Sequence, residues 1–169
     1  MTAQIKNSIL YKGKKYIVLN THPSPDYYYL NILNINLSEP HTACKRGYIA
    51  KYKIQNNLLK LLQLDIFPSK TQNVRLNNRL PSSFNDGWEV YKSLYLEIPF
   101  TGEMEIYRNK ITTRNILSFD TFIEHCVFFK LHFFHGIFKN VKDITADKAS
   151  GEFNKTNDFY EEIPDLLRK

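Results

Sequence analysis

A chain of 169 residues has room for one domain built on a single well-buried core. Aromatic residues make up 14 % of it, with 12 Phe and 11 Tyr but a single Trp, and the formal net charge is +6. No apolar run is long enough to span a bilayer as a helix, Cys44 and Cys126 are too few for a disulfide scaffold, and residues 1–13 lack the apolar stretch of a secretory leader. The expectation is a cytoplasmic protein that does not enter membranes, with both thiols reduced and buried or joined in one bridge.

Residues 9–19 read as a first hairpin. β-branched, aromatic and aliphatic residues flank Lys12-Gly13, and the glycine supplies the backbone conformation of a tight turn. The cluster Thr21-His22-Pro23-Ser24-Pro25-Asp26 breaks the pattern, and Ser24 with Pro25 behind it predicts a helix start. Tyr28, Ile32 and Ile35 share a helical face, so a helix is expected over 25–34.

A second hairpin is expected from 46–54 and 58–66 across Gln55-Asn56-Asn57, since Asn accepts left-handed backbone. In its first strand Arg46, Tyr48, Ala50, Tyr52 and Ile54 fall on one face and Lys45, Ile49, Lys51 and Lys53 on the other. The adjacent pairs Leu58-Leu59 and Leu61-Leu62 spoil strict alternation in the second. A strand buried on both faces, a bulge and a helix over 58–64 are the three readings.

Residues 67–87 read as a long loop, and 88–98 return to strand character. Phe100-Thr101-Gly102 predicts a turn before a strand at 103–107, with another turn at Arg108-Asn109. Residues 119–134 fit helical spacing, but Val127, Phe129, Leu131 and Phe133 also alternate, and the His135-Gly136 turn favours strand from Cys126 onward. The fold class expected is mainly β: an antiparallel, hairpin-built curled sheet or partly open barrel with one or two short helices. Residues 1–144 form its one β-rich domain, and 145–169 an acidic connector with a short helix around 158–168 or a tail.

The charge is uneven. Residues 1–100 carry 13 Lys and Arg against 6 Asp and Glu, whereas residues 101–169 carry 10 against 11. A basic surface attracts nucleic acid or an acidic protein face. Residues 46–53 interleave Arg46, Tyr48, Lys51, Tyr52 and Lys53, as single-strand binders do, but alternation separates the two tyrosines from Lys51 and Lys53. Three consecutive rings, Tyr27, Tyr28 and Tyr29, cannot all be buried on one side of an element, so one is expected at the surface, where tyrosine commonly anchors a partner.

Chemistry is thinly marked. His41 and Cys44, or His125, Cys126, His132 and His135, hold residue types that ligate zinc, without the paired spacing of a zinc ribbon. A Cys-His nucleophile pair can be drawn at Cys44 or Cys126; Cys44, beside Lys45 and Arg46 and with His41 near it, is the candidate carried forward. Glu103 and Glu105 share a strand face, as an acid/base pair or as solvated charges. Phosphate-loop, zinc-protease and nucleophile-elbow motifs are absent from the sequence. No metal, cofactor or catalytic residue is assigned.

Four stretches taken in order, Ile9-Leu10-Tyr11-Lys12-Gly13-Lys14-Lys15-Tyr16, His41-Thr42-Ala43-Cys44-Lys45-Arg46-Gly47-Tyr48-Ile49-Ala50, Phe100-Thr101-Gly102-Glu103 and the His135-Gly136 hairpin, resemble a group of small bacterial cytosolic proteins of immunity-protein type. The likeness spans residues 9–144 and is most specific at Arg46-Gly47-Tyr48. It implies a non-enzymatic partner of a cognate toxin, made beside polymorphic or contact-dependent toxins, and it carries no catalytic motif. Many such inhibitors are acidic, so this basic chain suits a toxin with an acidic binding face, or binding driven mainly by apolar and aromatic contacts. The leading expectation is toxin neutralisation by direct binding through Tyr27, Tyr28, Tyr29, Lys45, Arg46, Lys51 and Lys53. Single-stranded nucleic-acid binding and a Cys44-dependent enzyme are the alternatives.

Overall fold

The computed structural model describes residues 4–34, 36–70, 74–83, 86–110 and 125–150. Left-handed backbone at Lys12 and Gly13 turns β1 (Ser8–Tyr11) into β2 (Lys14–His22), so the first strand pair runs to His22 rather than stopping at Leu19. A helix, α1 (Tyr27–Leu33), then carries the chain across to β3 (Tyr48–Gln55), which lies parallel to β1. Ser24 accepts the backbone N–H of Asp26 at 3.4 Å, and the helix begins one residue later. Asn56 and Asn57, both left-handed, turn β3 into β4 (Leu58–Ile66) as their side chains predict.

Of the three readings of β4 the structure takes the bulge. Lys51 pairs with Gln63 but Tyr52 with Leu61, leaving Leu62 as the extra residue. The slip returns Leu59, Leu61, Leu64 and Ile66 to one buried face despite the leucine doublets. The stretch expected as one strand over 88–98 is divided into β6 (Glu89–Tyr91) and β7 (Leu96–Glu97), which pair with different parts of β4. A short β5 (Ser82–Ser83) lies outside β6, within what sequence reads as loop.

β8 (Gly102–Asn109) passes straight through Arg108 and Asn109, where a turn was expected, because both residues pair with β9 (Cys126–Phe134). The helical reading of 119–134 fails from Cys126 onward, and its first part lies outside the described residues. His135 and Gly136, both with positive φ, close the hairpin to β10 (Ile137–Asp143). A second short helix, α2 (Thr145–Ala149), follows; the expected helix at 158–168 lies outside the described residues.

The strands form a closed seven-strand mixed barrel in the order β10, β9, β8, β2, β1, β3, β4, completed by Ile137 of β10 against Leu58 of β4. Inward positions are filled by Ile9, Tyr16, Val18, Ala50, Tyr52, Leu61, Met104, Ile106, Leu131 and Phe133, all buried in one cluster. Rings of Tyr11, Tyr16, Phe129, Phe133 and Phe138 pack edge to face or tilted at 5.7–6.4 Å. A second cluster sits outside the barrel wall, where Tyr107 stacks on Phe128 at 5.8 Å with Cys126 and Ile144 beside them. Thr145 ties α2 to this wall by accepting the N–H of Phe128 at 3.0 Å.

At the start of β8, a Cβ added to Gly102 would stand 2.1 Å from the carbonyl oxygen of His22, with φ at +152°. Gly102→Ala is therefore expected to cost about 2–3 kcal/mol in urea melts. Gly13→Ala, left-handed but with nothing within 4 Å of the new atom, should cost only about 1 kcal/mol.

Candidate functional site

Two side-chain arrangements stand out. The first lies where α1 meets β3. Tyrosines on the inward face of a strand bring hydroxyls into the core, and each needs a partner. Asp26, itself buried, supplies it: its carboxylate accepts from the hydroxyls of Tyr29, Tyr48 and Tyr52, and from Ser24 Oγ at 2.9 Å. The Tyr29 and Tyr52 oxygens also lie 2.6 Å apart. Both of these residues are fully buried. Burial first, then the negative charge of Asp26, hold Tyr48 and Tyr52 well above the ordinary phenol range, and burial followed by Tyr52 and Asp26 does the same for Tyr29. A pocket of about 280 Å³ opens beside Ser24, Asp26, Leu30 and Tyr48. The carboxylate already receives four donors, which fills its capacity. The cluster is an anchor that locks the crossover to the barrel.

That anchor decides the fate of several candidate contact residues. Tyr29, expected at a partner interface, is turned wholly into the core by its bond to Asp26, and its ring is not available to a partner. Tyr28 is half-buried against the same core, and the side chain of Tyr27 lies outside the described residues. Arg46 also works internally: Nε donates to the Tyr48 carbonyl at 2.9 Å, and Nη2 to the Ile5 carbonyl and to Asn7 Oδ1, each at 2.8 Å. Its guanidinium stacks on the Tyr48 ring at 4.9 Å. Lys45 is exposed and precedes β3, the strand that carries Lys51 and Lys53.

The second arrangement is a groove of about 420 Å³ on the outer face of β1, β3 and β4. Ser8 and Leu10 of β1, Lys15 of β2, Lys51 of β3 and Gln63 of β4 line it, and Lys92, Ser93 and Tyr95 wall it from the segment between β6 and β7. Strand register brings these together: Leu10 pairs with Lys15, Ser8 with Lys51, and Lys51 with Gln63. Lys53, opposite Leu10 on β3, extends the basic row. Lys51 donates to Gln63 Oε1 at 3.2 Å while Gln63 donates onward to Asp65 at 2.6 Å. Three lysines converge here and no lining residue is acidic.

The opposite wall is arranged differently. Lys130 lies 3.2 Å from Glu103 and 3.4 Å from Glu105, His132 lies 3.2 Å from Glu103, and Lys148 of α2 lies 3.1 Å from Glu105. Glu103 and Glu105 do share one face, as alternation predicts, but lysines engage both. Hydrogen bonding to Glu103, opposed by partial desolvation, raises Lys130. Cys44 is buried with Sγ 3.7 Å from the Tyr48 carbonyl oxygen. Neither cysteine is in a disulfide. Among the described residues no three His, Cys, Asp or Glu gather as a metal site requires, and no helix is long and apolar enough to cross a membrane.

Sequence reasoning placed Lys51 and Lys53 on the outer face, and the structure agrees. It missed Lys15, Lys92 and Tyr95, which reach the groove from distant segments. It also passed over Asp26; the signal available was a pair of inward tyrosines on β3 with no partner of their own. No family model, curated protein or solved structure matches this chain.

The anchor gives two expected outcomes. Asp26→Ala removes the acceptor shared by two buried phenols and the half-buried Tyr48, and should cost about 3 kcal/mol in equilibrium unfolding. The raised phenols keep protons in the folded state that the unfolded chain releases above pH ~10, so stability should fall as pH rises past that value. Tyr48→Phe should flatten this alkaline slope in melts taken on either side of it.

Proposed function

We propose that this chain is a cytoplasmic binding protein of the immunity or antitoxin kind, which neutralises a bacterial toxin domain by seating an acidic part of it against the basic groove. One observation carries the reading. On the β8–β9 wall the lysines are engaged by the chain's own carboxylates, whereas the groove bordered by Lys15 and Lys51 has no acid in its lining. Such a surface is completed by negative charge from outside and speeds the encounter with it.

Single-stranded nucleic acid is the weaker alternative, because the tyrosines of the basic strand are turned inward: Tyr52 is wholly buried and Tyr48 is bonded to Asp26. Sequence-tolerant binders need such rings outward for stacking. A Cys44 enzyme is supported less, since that thiol is buried.

The test is a tagged-protein pull-down from the native cytosol after nuclease treatment, followed by an assay of the recovered partner's toxicity. A stoichiometric protein whose toxicity the purified chain suppresses is the expected result; loss of all bound material on nuclease treatment would refute it. Lys51→Glu with Lys92→Glu should slow association with that partner at least about tenfold near ~50 mM salt, with a smaller effect at high salt.

A further inference from the structure

The segment between β6 and β7 has a shape that its sequence does not explain. Ser93 and Tyr95 both adopt left-handed backbone, at φ +54° and +49°. Neither is a glycine or asparagine, the residues that take this conformation cheaply. Between them Leu94 is buried, donates its N–H to the Leu62 carbonyl at 2.9 Å and accepts Asn77 Nδ2 at 2.7 Å. The residue that receives Leu94 is the bulged residue of β4. Leu94 is thus a plug, and the two residues beside it are turned outward. The result is a tyrosine ring, 52 % exposed, on the rim of a lysine-lined groove, with Leu10 also exposed and Leu62 in the same lining.

Unfavourable backbone held in place by surrounding contacts gathers at binding and catalytic sites. A tyrosine fixed this way presents a large contact area with little freedom left to lose. We infer that Tyr95 is the anchor of the groove, and that the groove takes an acidic peptide segment carrying one large apolar side chain. The carboxylates of that segment meet Lys15, Lys51 and Lys92, and the apolar side chain packs against Tyr95 and Leu10. Charge complementarity selects the acidic residues, and the apolar patch among the lysines selects the interruption. This inference rests on the reading of the chain as a protein-binding module.

Two synthetic peptides of equal negative charge test it, one with a central Phe and one with Ser in its place, alongside an oligothymidylate of similar length. The Phe peptide should bind at least about tenfold more tightly than the Ser peptide, and Lys51→Glu should weaken both. Tyr95→Ala should reduce the preference for Phe to within about twofold. Tyr95→Asn suits the left-handed backbone and should do the same, which separates loss of the ring from loss of the turn. Equal binding of the two peptides, a preference that survives both Tyr95 variants, or an oligothymidylate that binds as tightly as the Phe peptide would overturn the inference. If the toxin partner binds Tyr95→Asn at full strength, the anchor is refuted while the immunity reading stands. If no protein partner exists, the reading itself falls.

Discussion

A buried phenol is tolerated only if its hydroxyl finds a partner, and this chain gathers two buried phenols and one half-buried phenol at one place. Tyr48 and Tyr52 come from β3 and Tyr29 from α1, and all three meet the carboxylate of Asp26. The meeting settles more than local polarity. β3 lies parallel to β1, so the chain must cross from the end of β2 back to the start of β3. Backbone bonds at Asn36, Ser38 and Gly47 tie the later part of that crossover to Phe67 and Ser69. Asp26 fastens its helix to the strand it leads into, and Arg46 fastens the N-terminal segment to the same strand through Ile5 and Asn7. With β3 held this way round, Lys51 and Lys53 have no choice but the outer face.

How much of this was legible beforehand depended on how local the cause was. Turns were readable because single residues decide them: Gly13, the Asn56-Asn57 pair and Gly136 each supply left-handed backbone. The two faces of β3 were readable because alternation is a property of the strand alone. The Leu62 bulge was one reading among three, and pairing with β3 selected it. Arg108 and Asn109 looked like a turn and became strand for the same kind of reason, since their partners lie on β9. Asp26 stood in a breaker cluster, where an acidic residue normally announces a turn, and only the arrival of β3 gave it three donors. Lys92 and Tyr95 joined Lys15 and Lys51 through pairings made far along the chain.

The two outer walls show that net charge is a poor guide to what a surface offers. The acidic half of the chain contributes a wall on which Glu103 and Glu105 are met by Lys130 and Lys148. The basic half contributes one on which lysines frame leucine and tyrosine side chains. What distinguishes them is whether carboxylates stand among the lysines, together with the aromatic rim that the Leu94 plug creates.

The ring of strands is completed where Ile137 reaches Leu58, across nearly half of the chain's length. A ribosome delivers β1 to β4 long before β10 exists, so the growing polypeptide holds the outer edge of β4 without its final neighbour. β7 and β6 emerge next and cover the middle and far parts of that edge, leaving only its first residues for the last strand. The β4 edge is therefore covered early in synthesis, whereas the edge at the other end of the early sheet, β2, waits for β8.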